Sequence, residues 1–390
     1  MKKNQSSLSV AIGVACVWMG THFGPGAASG TQILVFWVRY GLWGAVAAVF
    51  AMCLLGYGIY CSAEFSRIYR TYNYADWTEA VWGKKWMVYL LDFSFVIVLL
   101  TAMGSSLNVI GTLVHNELGI SYWIGVACVI LIAALLCAYG ERLVSLASSY
   151  MMYLIILVLA IVIISSMRSG KLHLGQAIEN IRAGAVPGIR PSFPGAIWSG
   201  VIYASFQANV IGNISSVCRQ LPDRKTTRLA AIIGVCGNVT MLVVMTLFFI
   251  ASTTIPGHDV MDTAANPLPF YGVLNALDFG GVKIVYVVTV FFAVLSTVVG
   301  FCYGAISRYA KFYRKPEEST PLKDAALVAA LLLVCSLTSR LGIVALVSTG
   351  NTILGYLNLP LLIFPAIVLA KRKISKNYLI THNVKTFGID

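Results

Sequence analysis

Ten apolar runs, each long enough to cross a bilayer as a helix, follow one another with mostly short polar joints between them. A hydrocarbon core needs about 20 mainly apolar residues per helical crossing. The runs lie near 8–38, 41–62, 86–113, 121–139, 143–166, 194–218, 228–251, 281–307, 323–339 and 341–370. Inside lipid every backbone N–H and C=O must find a protein partner, which leaves helices or a closed barrel, and runs of this length select helices. The expected fold class is all-α: a polytopic membrane protein of about ten transmembrane helices, one transporter-sized domain over residues 1–390 with a polar tail at 371–390. Composition agrees, with 58% of the 390 residues hydrophobic and 11% charged, against roughly a quarter charged in soluble domains. A soluble enzyme, a secreted scaffold and a nucleic-acid binder are excluded.

The net charge of +13 comes from 28 Lys and Arg that fall mostly in alternate joints. Lys2, Lys3, Arg67, Arg70, Lys84, Lys85, Arg142, Arg224, Arg308, Lys311 and the cluster from Lys371 to Lys376 share one side. Arg39, Arg168, Lys171, Arg182, Arg190, Lys283 and Arg340 share the other. The positive-inside rule puts the richer side, and both termini with it, in the cytoplasm, so a bacterial cytoplasmic (inner) membrane is expected, with the lipid bilayer as a partner. The basic start resembles a signal peptide, but no Ala-x-Ala-like site follows, and the first run is read as retained. Nine Cys within apolar runs, without CxxC spacing, read as buried thiols. The long outer stretches Arg168–Pro194 and Ser252–Gly280 are either covers for a cavity mouth or ordinary loops. The tail after Lys371 is expected to fray. Nothing here speaks to the oligomeric state.

Two runs are interrupted in matching places. The first carries Gly20-Thr21-His22-Phe23-Gly24-Pro25-Gly26, whose Gly and Pro oppose a continuous helix. The sixth carries Ser205-Phe206-Gln207-Ala208-Asn209-Val210-Ile211-Gly212-Asn213, where polar groups in lipid must face water or one another. A kinked helix packed through small residues is the plainer account of the first break. With five spans per half the second half enters from the opposite side, a 5+5 inverted repeat over about 8–166 and 194–370. Paired discontinuous helices in such positions point to a midplane solute site in a secondary transporter.

Ten spans with broken helices 1 and 6, and the stretch Phe23-Gly24-Pro25-Gly26-Ala27-Ala28-Ser29-Gly30-Thr31-Gln32-Ile33, resemble the amino acid–polyamine–organocation superfamily with the LeuT-type fold. Within it the stretch is similar to the "GxGFASGxEI" pattern of YkvI-like bacterial membrane proteins. It departs from that pattern at Ala27, in place of Phe, and at Gln32, in place of an acidic residue. The resemblance implies a sodium ion between carbonyls of the first break and hydroxyls of the eighth span. Ala293, Ser296 and Thr297 match the eighth-span ligands, with the carbonyls of Gly20 and Phe23 completing the set. On spacing alone these hydroxyls stand on one helical face, and bonding back to their own helix is the competing account. Relatives that run on protons carry a Lys in the fifth span, and the run there has Ser145, Ser148 and Ser149 instead. Thr101, Ser105 and Ser106 in the third span read as packing groups.

The site read from the breaks comprises Trp18, Gly20, His22, Phe23, Gly24 and Gly26 from the first span and Tyr203, Phe206, Gln207 and Asn209 from the sixth. Asn213, Asn351 and Tyr356 are further polar candidates. The breaks hold no carboxylate, which disfavours a divalent metal or a diamine as cargo; the resemblance adds that manganese and iron transporters of this fold put an Asp in the first break and a Met in the sixth. Helix N-termini at Gly24 and Gly26 suit a substrate carboxylate. Asp92 needs a partner, a basic residue at the inner face or a place in the pathway, and Glu64, Arg67 and Arg70 are inner-gate candidates. The expected function is a secondary active transporter coupling sodium to symport of a small zwitterionic solute, an amino acid or related amine or betaine, with no cofactor beyond the coupling ion and no enzymatic activity. Three alternatives stay open: proton coupling through His22, a membrane enzyme using His22, Ser29 and Asp92, and a channel or sensor. His22 is expected to be neutral and hydrogen-bonding.

Overall fold

The computed structural model describes residues 6–139, 157–158, 160–263, 267–278, 280–309 and 320–384. The basic residues Lys2, Lys3, Arg142 and Lys311, and the serines Ser145, Ser148 and Ser149 of the fifth run, lie outside the described residues. Among the described residues six helices are long and apolar enough to cross a membrane: Leu42–Tyr69, Met87–Leu118, Arg224–Ser252, Gly281–Ile306, Pro321–Ser339 and Ile343–Lys373. They are the second, third, seventh, eighth, ninth and tenth spans. Tyr122–Tyr139 is the fourth, and residues 157–158 and 160–168 belong to the described part of the fifth. The first and sixth spans are each built from pieces.

The first span runs as a helix over Ser7–His22, as one turn over Pro25–Ala28 and as a helix over Thr31–Phe36. Its chemistry sets the break. Phe23 N still donates to Met19 O at 3.1 Å, so Gly20, Thr21 and His22 stay helical, although the sequence suggested opening from Gly20. The ladder then stops: Gly24, ahead of the proline, is extended and its N–H makes no backbone hydrogen bond among the described residues, and Pro25, four residues beyond Thr21, has no N–H. A second interruption follows at Ser29–Gly30, where Gly30 takes φ +89°. The sixth span is helical over Phe193–Gln207 and Val210–Val217, so only Ala208 and Asn209 interrupt it. Two of the polar residues expected to open it over Ser205–Gly212 instead bond to their own helix: Ser205 Oγ donates to Val201 O at 2.7 Å and Asn209 Nδ2 to Phe206 O at 2.9 Å.

Small residues let the spans cross closely. Trp18 fills the space over Gly234 of the seventh span, and Val235 lies against Gly56 of the second. Gly355 of the tenth span receives Ile202 of the sixth in the same way. Wide π-turns interrupt the third span at Leu99–Met103 and the tenth at Leu346–Gly350, Leu359–Ile363 and Pro365–Ala370. Pro360 and Pro365 remove donors there. The first two of these turns face each other, and Thr338 Oγ1 donates to Leu100 O at 3.0 Å, satisfying a carbonyl of the third-span turn.

The end of the bundle that carries Arg67 and Arg224 holds a buried ion cluster. Arg67 grips Glu64 with two nitrogens, Nε to Oε2 at 2.9 Å and Nη2 to Oε1 at 2.7 Å. Arg224 Nε reaches Oε1 at 3.0 Å, and its Nη2 donates to Ile374 O at 2.7 Å. The second span therefore continues past residue 62, where charge appeared to end it, because Glu64 and Arg67 neutralise each other one turn apart. The tail does not fray at once: Lys376–Thr381 is helical, Leu379 is buried, and Tyr69 Oη donates to Lys373 O at 3.0 Å. Arg70 stands at the helix end with φ 57° and is exposed. A short helix, Tyr74–Trp82, capped by Asn73, lies between the second and third spans. None of the nine thiols is in a disulfide, and Cys53, Cys128 and Cys236 are exposed rather than buried.

Candidate functional site

The two interruptions meet at a buried polar cluster. His22, the last residue before the first break, is 2% exposed. Its Nδ1 lies 2.6 Å from Asn238 Oδ1 on the seventh span, and its Nε2 lies 3.0 Å from Tyr203 Oη on the sixth. Asn238 Nδ2 donates to Gly234 O at 2.9 Å, which turns its oxygen toward the imidazole. The protons can be assigned from this network. Nδ1 carries hydrogen and donates to Asn238, so a neutral ring accepts at Nε2 from Tyr203. Gln207 Nε2 stands 3.5 Å from Tyr203 Oη and 3.4 Å from His22 O, leaving the tyrosine proton for His22.

Aromatic rings close the cluster. Tyr203 packs against Phe36, Trp37 and Phe206 with centroids 5.2, 4.6 and 4.9 Å away, so the outer part of the first span folds over the sixth. Phe23 is buried. Gly24 is half-buried with open space where a side chain would stand, while Gly26 is sealed by the side chain of Gln32.

The structure thus gathers His22, Tyr203, Phe206 and Gln207, with Phe23, Gly24 and Gly26 alongside in the chain. Trp18 is not brought to the break: it faces the crevice between the second and seventh spans, and its indole N–H has no partner among the described residues. Asn209 spends its amide on Phe206 O. Asn213 is exposed, and Tyr356 lies at the surface, where Trp198 Nε1 donates to its hydroxyl at 3.2 Å. The helix N-terminus expected at Gly24 and Gly26 opens only a four-residue turn, too short to build much of a dipole. Asn238 was not a candidate from sequence. Its signal was a carboxamide in the middle of an apolar span, a placement that is expensive in lipid.

On the eighth span, Tyr286 Oη donates to Ala28 O at 2.8 Å. Ala293, Ser296 and Thr297 lie about two to three turns further along the same helix from Tyr286. The contact between this helix and the first span is made at Pro25–Ala28. Thr297 makes no hydrogen bond among the described residues, whereas Thr289 bonds back to Val285 O at 2.7 Å. Ser296 and Thr297 are half-buried. In the third span, Thr101, Ser105 and Ser106 all bond to carbonyls of their own helix.

Asp92 pairs at the basic end. Tyr74 Oη donates to it at 2.5 Å and Arg308 Nη1 stands 3.5 Å away, with the guanidinium 3.5 Å from the rings of both Tyr74 and Phe95. Ser29 bonds to Gly26 O at 3.2 Å, so His22, Ser29 and Asp92 do not form one constellation. At the opposite end, the stretch between the seventh and eighth spans carries the helix Pro269–Leu277. A cavity of about 430 Å³ lies beneath it, lined by Asn116, Pro256, His258, Leu268, Tyr271 and Asn275 among others. Phe270 N donates to Ser29 O at 2.9 Å, which ties this helix to the first span's second interruption.

Comparison with known proteins follows the same lines. The model of a family described as amino acid permease matches residues 6–303. The Bacillus subtilis protein YkvI, described as an uncharacterized membrane protein, is 23% identical over 365 residues, covering 91% of this chain and 95% of that one. Among solved structures, the Eremococcus coleocola manganese transporter bound to an aromatic bis-isothiourea compound superposes with a TM-score of 0.56 at 14% identity. It covers 94% of this chain and 80% of that one. A point mutant of that transporter gives 0.52 at 10% identity, with 98% and 93% covered. At these identities the likeness is one of fold.

Proposed function

The chain belongs to the amino acid permease family and is a multi-pass membrane transporter, and from that premise we propose that it carries a small zwitterionic solute, an amino acid or related amine or betaine, by sodium-coupled symport. The family and the transporter fold set the membrane-enzyme reading aside. What carries the cargo reading is the neutral cluster of His22, Tyr203, Gln207 and Asn238 where the two broken spans meet. It offers hydrogen bonds without fixed charge, which suits a solute that brings both charges itself and suits a divalent metal poorly.

The coupling ion would lie between the carbonyls of Gly20 and Phe23 and the groups of Ala293, Ser296 and Thr297. The half-buried Thr297 hydroxyl, which makes no hydrogen bond among the described residues, supports this. On this reading residues 8–166 and 194–370 are the inverted halves that rock about the site. The excess of Lys and Arg at the end carrying Glu64 favours a cytoplasmic-membrane protein with both termini inside. The assigned Nδ1–H form of His22 argues for a hydrogen-bonding role over a proton carrier.

The test is uptake of radiolabelled amino acids into proteoliposomes under an imposed sodium gradient. Accumulation that requires sodium, and that loses the requirement or fails in the Ser296→Ala, Thr297→Val double variant, is the expected result. Full uptake on a proton gradient without sodium would overturn the coupling assignment.

A further inference from the structure

The short helix Tyr74–Trp82 has nine residues, too few for a helix to persist on its own in water, and side chains from distant spans hold both of its ends. A helix C-terminus leaves its last carbonyls without partners. Gly83 takes φ 69° and donates its N–H to Glu79 O at 2.7 Å. Lys373, the last residue of the tenth span, donates Nζ to Ala80 O at 2.7 Å and to Val81 O at 3.0 Å, a cation at the negative end of the helix dipole. At the other end Tyr74 makes the contact with Asp92 and Arg308.

Between these ties the helix lies along the second piece of the sixth span, Val210–Val217. Trp77, Thr78 and Val81 are buried, and a methyl group on Gly212 would stand 3.4 Å from Tyr74 Cβ. Ile211, Gly212 and Ser215 share a narrow seam with Tyr74, Trp77 and Thr78, and Asn209 and Arg308 line it too. The helix thus covers a seam between Arg308, at the basic end, and the interruption of the sixth span. The seam measures about 20 Å³, room for one water. Lys373 is half-buried and meets neutral carbonyls, so water can replace both partners, and this tie can break and re-form within a transport cycle.

We propose that the helix Tyr74–Trp82 closes the solute path at the basic end, and that Lys373 is the positioning residue that keeps it shut by capping its last turn. The second piece of the sixth span then parts from this helix only when Lys373 lets go. The proposal rests on the alternating-access reading and not on the identity of the cargo or the coupling ion.

The test is the rate at which a water-soluble maleimide labels Ser215→Cys, whose position is buried in the seam, in the purified full-length chain, with each label located by mass spectrometry. Adding Lys373→Met should speed labelling at 215 by about tenfold, the equivalent of one hydrogen bond to a charged group, and Lys373→Arg should restore the slow rate. Cys302, buried in the eighth span, should stay unlabelled throughout. If Lys373→Met does not fold, Lys373→Gln, which keeps N–H donors without the charge, is read in the same way. An unchanged rate at 215, or a rise at Cys302 as large as that at 215, overturns the assignment. A second arm reads transport itself. The Gly212 and Tyr74 spacing is close to that between the Cβ atoms of a disulfide, so Tyr74→Cys with Gly212→Cys should be arrested when oxidised and released on reduction, and full uptake while cross-linked overturns the closure. The labelling arm needs no solute, so a chain that takes up no amino acid would sink the zwitterion reading and leave this assignment standing.

Discussion

A single imidazole joins three spans. His22 lies between Asn238 and Tyr203 with no water-facing surface to speak of, and each ring nitrogen has one partner. Asn238→Leu strands the Nδ1–H and should cost about 1–3 kcal/mol, read as a lower melting temperature together with weaker solute binding. Asn238→Asp is the more informative change. A carboxylate at that position favours the charged imidazole, so uptake that is flat with pH in the wild type should become pH-dependent. His22→Asn should keep the fold and alter apparent affinity more than the pH profile; normal affinity with an abolished pH dependence would make His22 a proton carrier after all. The cluster was half legible from sequence. His22, Tyr203 and Gln207 stood out because they lie in or beside recognisable breaks, whereas Asn238 lies in an unbroken span. It is a polar residue in an apolar run, a signal that does not say which neighbour will be met.

At the scale of elements, the order of spans could be read from hydropathy, but the breaks were misjudged in extent. Glycine density suggested opening from Gly20, yet backbone donors continue to Phe23, and the ladder ends where Gly24 is extended ahead of Pro25 and Pro25 itself has no N–H. The Ser29–Gly30 interruption escaped notice because small residues are equally at home in a close-packed helix. Its requirement is tertiary: Gly30 has φ +89° and a Cβ there would run into the Phe249 ring. Gly30→Ala should therefore destabilise the protein by more than about 1–2 kcal/mol, the left-handed backbone penalty alone. Gly24→Ala, with open space and φ −78°, should leave the melting temperature close to wild type while impairing uptake if solute occupies that space. Equal loss of stability in both variants would remove the distinction.

Across the whole molecule, the ion cluster at Glu64 connects the second span, the start of the seventh and the junction at Ile374. Glu64 is 0% exposed, and removing one member of a buried ion pair typically costs about 3–5 kcal/mol. Glu64→Ala leaves two guanidinium groups facing each other and should lower the melting temperature more than exchange of any exposed charge. The sequence hid this cluster because residues 64–70 looked like the end of a span, and the partners of Glu64 are 3 and 160 positions away.

That difference in separation has a consequence for how the chain is made. When the ribosome delivers the second span to the translocon, residue 224 has not been synthesised, and of the two arginines paired with Glu64 only Arg67, one turn further along the same helix, is there to accompany it. Arg224 arrives later, as the seventh span docks. Arg67→Ala should therefore reduce the amount of chain integrated into the membrane, whereas Arg224→Ala should integrate normally and lose stability only once assembled. Pulse-labelled insertion assays set beside melting temperatures of the purified protein would separate the two, and identical insertion yields would mean that the local pair has no part in biogenesis.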